Sequence, residues 1–131
     1  MSIVEEILKN SRTVAVVGLS ANPERPSHIV AAYLKEKGYN IIPVNPGEKT
    51  VLGEKSYPDL ISIPGKVDVV DIFRRSEDVL PIVREDIKIG AKAVWMQEGI
   101  KNEEAAAEAR KAGLKVVMNK CLRKEHIRIN G

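Results

Sequence analysis

The stretch Thr13-Val-Ala-Val-Val-Gly-Leu-Ser-Ala-Asn22 decides the fold expected for this chain. Apolar residues end at Gly18, small and polar residues follow, and an amphipathic segment begins near Ser27. This order predicts a strand, a tight turn and a helix. A glycine at such a turn lets backbone N–H groups approach an anion, toward which the helix directs its positive end. The pattern indicates a site for a phosphate-bearing cofactor.

Length and composition predict a globular protein of one domain, residues 1–131, with 44% hydrophobic and 30% charged residues. The sequence has neither a membrane-spanning apolar run nor a signal-peptide pattern, so we expect a cytoplasmic location and no membrane partner. Net charge is only +3, acidic and basic residues are interleaved, and 4% of residues are aromatic, which disfavours a nucleic-acid partner. The lone Cys121 excludes an internal disulfide and a cysteine metal cluster.

Five apolar runs alternate with helical patterns. The predicted strands are 13–17, 40–44, 67–72, 92–96 and 115–118, and the predicted helices are 3–9, 27–37, 77–89 and 102–112. Ser76 and Asn102 are predicted N-cap residues. The segment 45–66 is rich in proline and glycine and is predicted to be mainly loop, with one helical turn near 59–61.

The alternation predicts an α/β fold, a single Rossmann-like doubly wound parallel five-stranded sheet of order 3-2-1-4-5 with helices on both faces. In such sheets ligands bind beyond the carboxyl ends of the strands, at the switch point between strands 1 and 4. Residues that directly follow each strand are therefore the candidates for the site.

The turn after the first strand lacks the second and third glycines of the dinucleotide fingerprint. Ser20 and Asn22 are placed to contact a diphosphate, and Arg25 and His28 would add positive charge at the helix start. Two alternatives stay open. Gly18 can serve the turn alone, and His28 can be an ordinary helix-start residue.

Asn45 ends the second strand, where a NAD-binding domain usually has an acidic residue. With Lys49 close behind, this neutral side chain suits an adenosine carrying a ribose phosphate better than NAD. Asn45-Pro46-Gly47 is also strong turn chemistry, and a turn is compatible with ligand contact.

The third and fourth strands end in further candidates. Phe73 can pack against an adenine or cap the core, and Arg74 and Arg75 are either phosphate ligands or ordinary surface cations. Gln97 and Glu98 can present an amide and a carboxylate to a polar tail of the ligand. No nucleophile accompanies Glu98, and the sequence offers no catalytic triad, metal cluster or P-loop lysine, so we expect neither catalytic nor metal-binding residues, and an enzyme is not favoured.

Together these segments resemble the small stand-alone coenzyme A-binding proteins, whose domain is similar to the N-terminal CoA-binding domain of the succinyl-CoA synthetase α-subunit. The resemblance runs from Thr13 to about His126. It is carried by Val-Val-Gly-Leu-Ser at 16–20 with Asn-Pro-Glu-Arg at 22–25, Gly-Tyr-Asn-Ile-Ile-Pro-Val-Asn-Pro-Gly at 38–47 with Val-Leu-Gly at 51–53, Asp-Val-Val-Asp-Ile-Phe-Arg at 68–74, Ile-Gly-Ala-Lys-Ala-Val-Trp-Met-Gln-Glu-Gly at 89–99, and Asn-Lys-Cys-Leu-Arg-Lys-Glu-His at 119–126.

The resemblance implies coenzyme A as the cofactor and assigns roles to residues. It implies that the diphosphate is held by Gly18, Leu19 and Ser20, that the adenosine is flanked by Val44, Asn45 and Pro46, that the nucleotide is lined by Phe73, Arg74 and Arg75, and that the pantetheine is met by Met96, Gln97 and Glu98. The synthetase has a lysine directly after Pro-Gly, whereas this chain has Glu48 and then Lys49. The synthetase's phosphorylated histidine and ATP-grasp partner lie outside this domain, so ligase activity is not carried over.

Three functions stay open. A non-catalytic module that binds CoA or an acyl-CoA is favoured over a small NAD(P)-dependent oxidoreductase and over a CoA-binding subunit that acts with a separate acyl-CoA ligase chain. Cys121 is expected at the carboxyl edge, where it either forms a mixed disulfide with CoA or packs as a small hydrophobe. Oligomeric state is open, since the amphipathic N-terminal segment can pack on its own sheet or on a neighbour.

Overall fold

The computed structural model describes residues 1–130, and a sheet of five parallel strands forms its centre. The strands of this sheet are β1 (Thr13–Val17), β2 (Asn40–Val44), β5 (Val69–Ile72), β6 (Ala93–Met96) and β7 (Lys115–Val117), and a separate antiparallel hairpin consists of β3 (Thr50–Val51) and β4 (Glu54–Lys55). The helices are α1 (Ile3–Asn10), α2 (Pro26–Glu36), α3 (Val79–Lys88), α4 (Glu103–Lys111) and α5 (Leu122–Asn130), with a short 3₁₀ turn at Ser76–Asp78. Gly131, the last residue of the predicted domain, lies outside the described residues.

The main sheet has the order β2-β1-β5-β6-β7, and all its pairings are parallel. Beyond β2, Tyr57 forms one parallel bridge to Val44, so the segment at Tyr57 occupies the third place of the Rossmann order and β5 the fourth. With that numbering β6 and β7 are the fifth and sixth strands, so the sheet has the order 3-2-1-4-5-6. This order contains the expected 3-2-1-4-5, and the Rossmann-like doubly wound fold is confirmed. The strand predicted at 67–72 therefore lies beside β1, because the proline-rich segment before it shortens the third strand to a single bridge.

Helices cover both faces of the sheet, as predicted. On one face α1, α2 and α5 pack over Val14, Val16 and Trp95, and on the other α3 and α4 pack over Val70 and Val94. The alternation of side chains along parallel strands buried on both faces explains this division. Among the helices within residues 1–130, none is long and apolar enough to cross a membrane.

Four local predictions differ from the structure. α5 was not expected, because the segment is short and charged and buries only Leu122. The β3–β4 hairpin was not expected either, and it lies in the segment 45–66 that was predicted to be mainly loop. Ser76 lies within the 3₁₀ turn, and Asp78 takes the N-cap position of α3. The segment 59–61 forms a turn in which Asp59 Oδ1 accepts from the Ser62 N–H at 2.8 Å, and it is not helical. By contrast, Asn102 caps α4 as predicted.

Two carboxyl groups lie fully inside the protein. Asp71 on β5 and Asp86 on α3 have no solvent exposure, and none of their carboxyl oxygens has a hydrogen-bond partner within residues 1–130. Burial raises the pKa of Asp71 well above its usual range and that of Asp86 to about 8. Burial therefore favours the protonated, uncharged form of both carboxyl groups.

Candidate functional site

An open cleft of about 880 Å³ follows the carboxyl edge of the sheet. This volume lies toward the upper end of the roughly 300–1,000 Å³ usual for small-molecule sites. Its walls come from the turn after β1, the start of α2, the loops after β5 and β6, and the start of α5. The cleft thus spans the switch point between β1 and β5, where the fold predicts a ligand.

Gly18 directly follows β1 and packs against the backbone of Phe73, the residue that follows β5. Its φ is +87°, and a Cβ at this position would lie 2.4 Å from the carbonyl oxygen of Phe73. Its N–H donates to the carbonyl of Val44 at 2.8 Å. Close packing of the sheet edge therefore requires glycine here, and this N–H is already engaged within the protein.

The loop between Gly18 and α2 is organised around Ser20. The Ser20 N–H donates to Ser27 Oγ at 3.0 Å, and the Ser20 Oγ accepts from the Asn22 N–H at 3.0 Å. His28 Nδ1 donates to the Ser20 carbonyl at 2.9 Å. Asn22 and His28 thus shape this loop from outside the cleft lining.

Asn45 connects the loops after β1 and β2. Its Nδ2 donates to the Leu19 carbonyl at 3.0 Å, while its Oδ1 accepts from the Gly47 N–H at 2.9 Å. An aspartate could accept but could not donate to that carbonyl. The neutral amide at the end of β2 is therefore required by the local structure.

Three arginines from different elements face the cleft without an acidic partner within residues 1–130. Arg25 is the N-cap residue of α2, Arg74 follows β5, and Arg123 lies on α5 with its guanidinium carbon 5.5 Å from the centre of the Tyr33 ring. Guanidinium groups bind phosphate oxygens through paired donors. Their convergence suits a ligand with several negative charges.

Two further cations of the cleft are already paired. Arg75 Nε lies 3.2 Å from Glu77 and 3.0 Å from Asp78, and Lys124 Nζ lies 3.0 Å from Glu98. The hydrogen bond that Arg75 donates to Asp78 and the negative charges of Asp78 and Glu77 raise the pKa of Arg75. Glu98, in the loop after β6, therefore forms an exposed ion pair with Lys124 on α5.

The end of the cleft near β6 is held by polar contacts to α5. The buried Gln97 uses its Oε1 to accept from the Leu122 N–H at 3.0 Å, and Trp95 Nε1 donates to the Lys120 carbonyl at 2.7 Å. These bonds place the half-buried Cys121 in the cleft wall. This end of the cleft combines a thiol with aliphatic surface.

A smaller pocket of about 210 Å³ opens on the other side of β1. It shares Arg74 with the cleft, and the rest of its lining is Val17, Val44, Pro46, Pro58, Asp59, Leu60, Ile82 and Glu85. Flat aliphatic walls with two carboxylates suit a planar ring that carries hydrogen-bond donors.

The structure brings most of the residues predicted from the sequence to these two cavities. The cleft is lined by Gly18, Ser20, Arg25, Asn45, Phe73, Arg74, Arg75, Gln97 and Glu98, and the smaller pocket by Val44 and Pro46. Leu19 and Met96 are completely buried in the core. Asn22, His28 and Lys49 line neither cavity.

Sequence reasoning missed the contribution of α2 and α5 to the cleft. The additional lining residues, none of which is among the predicted cofactor-binding residues, are Pro26, Ser27, Ile29, Val30, Asp78, Ile100, Cys121, Arg123 and Lys124. The apolar pair Leu122 and Ile129, seven residues apart, was the available signal for α5, and it is weak in so charged a segment. Within residues 1–130 no group of three or more candidate ligands could hold a metal ion.

Comparison with known proteins now identifies the family. Residues 12–127 match the model of the CoA binding domain. The chain belongs to this CoA-binding domain family. The family's uncharacterized protein YneT of Bacillus subtilis is 41% identical over 123 residues, which cover 94% of this chain and 91% of YneT.

The family resemblance extends to larger ligases. The chain is 32% identical to the α-subunit of an ADP-forming acetate–CoA ligase II of Pyrococcus furiosus over 86% of its own length. It is homologous to the CoA-binding N-terminal domain of such subunits and spans 27% of that subunit.

Solved structures agree with both comparisons. A hypothetical protein from Pyrococcus horikoshii OT3 superposes with a TM-score of 0.96 at 43% identity, over 100% of this chain and 94% of that one. The apo dinucleotide-forming acetyl-coenzyme A synthetase 1 of Ca. Korarchaeum cryptofilum superposes with a TM-score of 0.74 at 31% identity, over 86% of this chain and 27% of that one.

Proposed function

We propose that this protein binds coenzyme A or an acyl-CoA in the cleft and does not catalyse a reaction by itself. The observation that carries the proposal is the convergence on one cleft at the switch point of Arg25, Arg74 and Arg123, which have no acidic partner within residues 1–130. CoA is a polyanion with phosphates at two places, and membership of the CoA-binding family supports this ligand over other polyanions. The cytoplasmic location expected from the sequence accords with such a role.

In this proposal each part of CoA has a matching region. The phosphates meet the three arginines, and the base enters the smaller pocket beside Arg74. The pantetheine arm extends toward Ile100 and Cys121, where the cleft is less charged. An acyl group on the thiol would leave the cleft near the Glu98–Lys124 ion pair.

The alternative of a small NAD(P)-dependent oxidoreductase is less well supported. At the end of β2 the neutral amide of Asn45 is bonded to Leu19 and Gly47, and it offers no carboxylate to the ribose hydroxyls of NAD. The cleft also lacks a nucleophile paired with a general base within the described residues. We therefore favour a binding protein.

A role as the CoA-binding subunit of a ligase is supported by one specific observation. The chain matches only 27% of the Pyrococcus α-subunit named above, so in that protein the matching part is joined to further chain. In this version of the proposal a separate acyl-CoA ligase chain would supply the catalytic groups. The two versions share the same CoA site.

Isothermal titration calorimetry with CoA, acetyl-CoA, NAD and NADP tests the proposed ligand. We expect CoA and acetyl-CoA to bind at least about 10-fold more tightly than either dinucleotide, equivalent to about 1.4 kcal/mol. Dinucleotide affinity equal to that of CoA would contradict the proposal. Formation of acyl-CoA from ATP, CoA and a carboxylate by a purified hetero-complex, and not by the chain alone, would support the subunit version.

A further inference from the structure

The smaller pocket has chemistry suited to selecting one kind of base. Val17, Val44 and Leu60 are buried apolar residues in its walls, and Ile82 adds a further aliphatic surface from α3. Such walls pack against either face of any planar ring, so by themselves they do not distinguish one base from another. Discrimination has to come from the polar groups of the pocket.

Two of these polar groups are carboxylates held by the loop beneath the pocket. Glu85 Oε1 accepts from the Leu60 N–H at 3.0 Å, which ties α3 to this loop. Asp59 Oδ1 accepts from Ser62 Oγ at 2.6 Å and from the Ser62 N–H at 2.8 Å. The hydrogen bonds from Ser62 lower the pKa of Asp59, so it is ionised at neutral pH.

Each carboxylate therefore has one oxygen fixed by the protein and a second one without a protein donor within residues 1–130. An ionised carboxylate accepts hydrogen bonds and cannot donate them. The remaining charged side chain of the pocket, Arg74, lies toward the cleft that the two cavities share. The carboxylate side of the pocket thus presents acceptors to a bound ring.

Building on the proposed function, we propose that Glu85, assisted by Asp59, selects adenine through the amino group at its position 6. The 6-amino group of adenine donates a hydrogen bond to a carboxylate. Hypoxanthine and guanine have a carbonyl oxygen at that position, which would face the carboxylate with no donor between them. A site that forms such a hydrogen bond disfavours the analogue that lacks it, because the bound analogue displaces water from the partly exposed carboxylate and offers no donor in exchange.

The test compares CoA with its hypoxanthine form, in which a carbonyl replaces the 6-amino group. Calorimetry on the wild-type protein should give a CoA affinity about 10-fold or more above that of the hypoxanthine form. Glu85→Gln keeps a carbonyl oxygen for the Leu60 N–H and adds an amide donor that suits the 6-carbonyl. This variant should lower the preference for CoA to near unity.

Two further variants make the result interpretable. Glu36→Gln removes an exposed carboxylate at the end of α2 that lines neither cavity, and it should keep the wild-type preference. Asp59→Asn provides a second test should Glu85→Gln fail to fold, and it should reduce the preference in the same direction. Circular dichroism establishes that each variant is folded.

Different failures have different meanings. Equal wild-type affinity for both ligands, or a wild-type preference retained by folded Glu85→Gln and Asp59→Asn, overturns the inference and leaves the CoA site intact. Failure of the wild-type protein to bind either ligand overturns the proposed function, and this inference with it.

Discussion

The side-chain oxygen of Gln97 accepts a hydrogen bond from the backbone N–H of Leu122 at 3.0 Å, and this bond connects β6 to the first residue of α5. Gln97 is only 4% exposed, and its side-chain oxygen is already bonded within the protein. The amide therefore has a structural role whether or not a ligand is bound. Because α5 carries Arg123 and Lys124, the bond also determines where two cations of the cleft lie.

Replacing Gln97 by leucine should destabilise the protein. The change leaves the Leu122 N–H without an acceptor in a buried site, which costs about 1–3 kcal/mol. Gln97→Glu retains an acceptor and should lose less. Equilibrium urea unfolding measures both free energies, and a Gln97→Leu protein as stable as the wild type would show that the bond contributes nothing.

Gly18→Ala should be much more destabilising than Gly38→Ala. Both glycines have a positive φ, +87° and +97°, and alanine in that region costs about 1–2 kcal/mol. At Gly18 the added Cβ would also meet the Phe73 carbonyl at 2.4 Å, whereas at Gly38 nothing lies within 4 Å. We expect a further loss of about 1–3 kcal/mol at Gly18. Equal thermal shifts for the two variants would contradict this packing argument.

Arg74→Gln should weaken CoA binding more than Arg75→Gln. Arg74 has no acidic partner within residues 1–130, whereas Arg75 is already paired with Glu77 and Asp78. A hydrogen bond to a charged group contributes about 1.5–3 kcal/mol, so we expect a loss of roughly 10-fold or more for Arg74→Gln. Titration calorimetry at two salt concentrations checks this, with a smaller difference expected at high salt. Equal losses for both variants would argue against Arg74 as a phosphate ligand.

Bound CoA should protect Cys121 from alkylation. The thiol is half-buried and lines the cleft at the end proposed for the pantetheine arm. Saturating CoA should slow the reaction with iodoacetamide several-fold, as followed by intact mass. Denatured protein serves as the control, since CoA should have no effect there. An unchanged rate in folded protein that binds CoA would place the arm elsewhere.

The contribution of Asp86 to stability should fall as pH rises from about 4 to 8. The folded-state pKa of Asp86, about 8, lies above the unfolded value of about 3.9, so ionisation favours the unfolded chain throughout this interval. The slope approaches 1.4 kcal/mol per pH unit for one such group, and the buried Asp71 acts in the same direction. Asp86→Asn should flatten the dependence in urea unfolding measured between pH 5 and 8. An unchanged slope in Asp86→Asn would contradict the assignment.

The secondary structure of the core was predictable because its signals are local. Near-continuous apolar runs at β1, β2 and β6 and the cap residue Asn102 each reflect a few neighbouring residues. α5 was not predictable in this way. It is stabilised by long-range contacts, above all the bonds from Gln97 and Trp95 to residues about 25 positions away.

The candidate site was predictable to the extent that it follows from the sheet. Parallel strands bring their carboxyl ends to one edge, so the residues after each strand had to be neighbours, as Gly18 and Phe73 are. Which of these side chains reach the cleft was not predictable. Leu19 and Met96 follow or end strands like the others, yet both point into the core.

The amino-acid pattern by itself therefore determined the parallel sheet, its covered faces and the edge where a polyanion is expected, because these follow from periodicity, turn residues and the geometry of parallel strands. Only the tertiary structure decided which side chains at that edge are bonded within the protein and which can contact a ligand. It pairs Arg75 and Lys124 with acids, whereas Arg74 has no acidic partner within the described residues. The amides of Asn45 and Gln97 form hydrogen bonds that hold loops and α5 in place. The physical reason is that hydrogen bonds and ion pairs depend on distances between residues far apart in the chain, which no local pattern encodes.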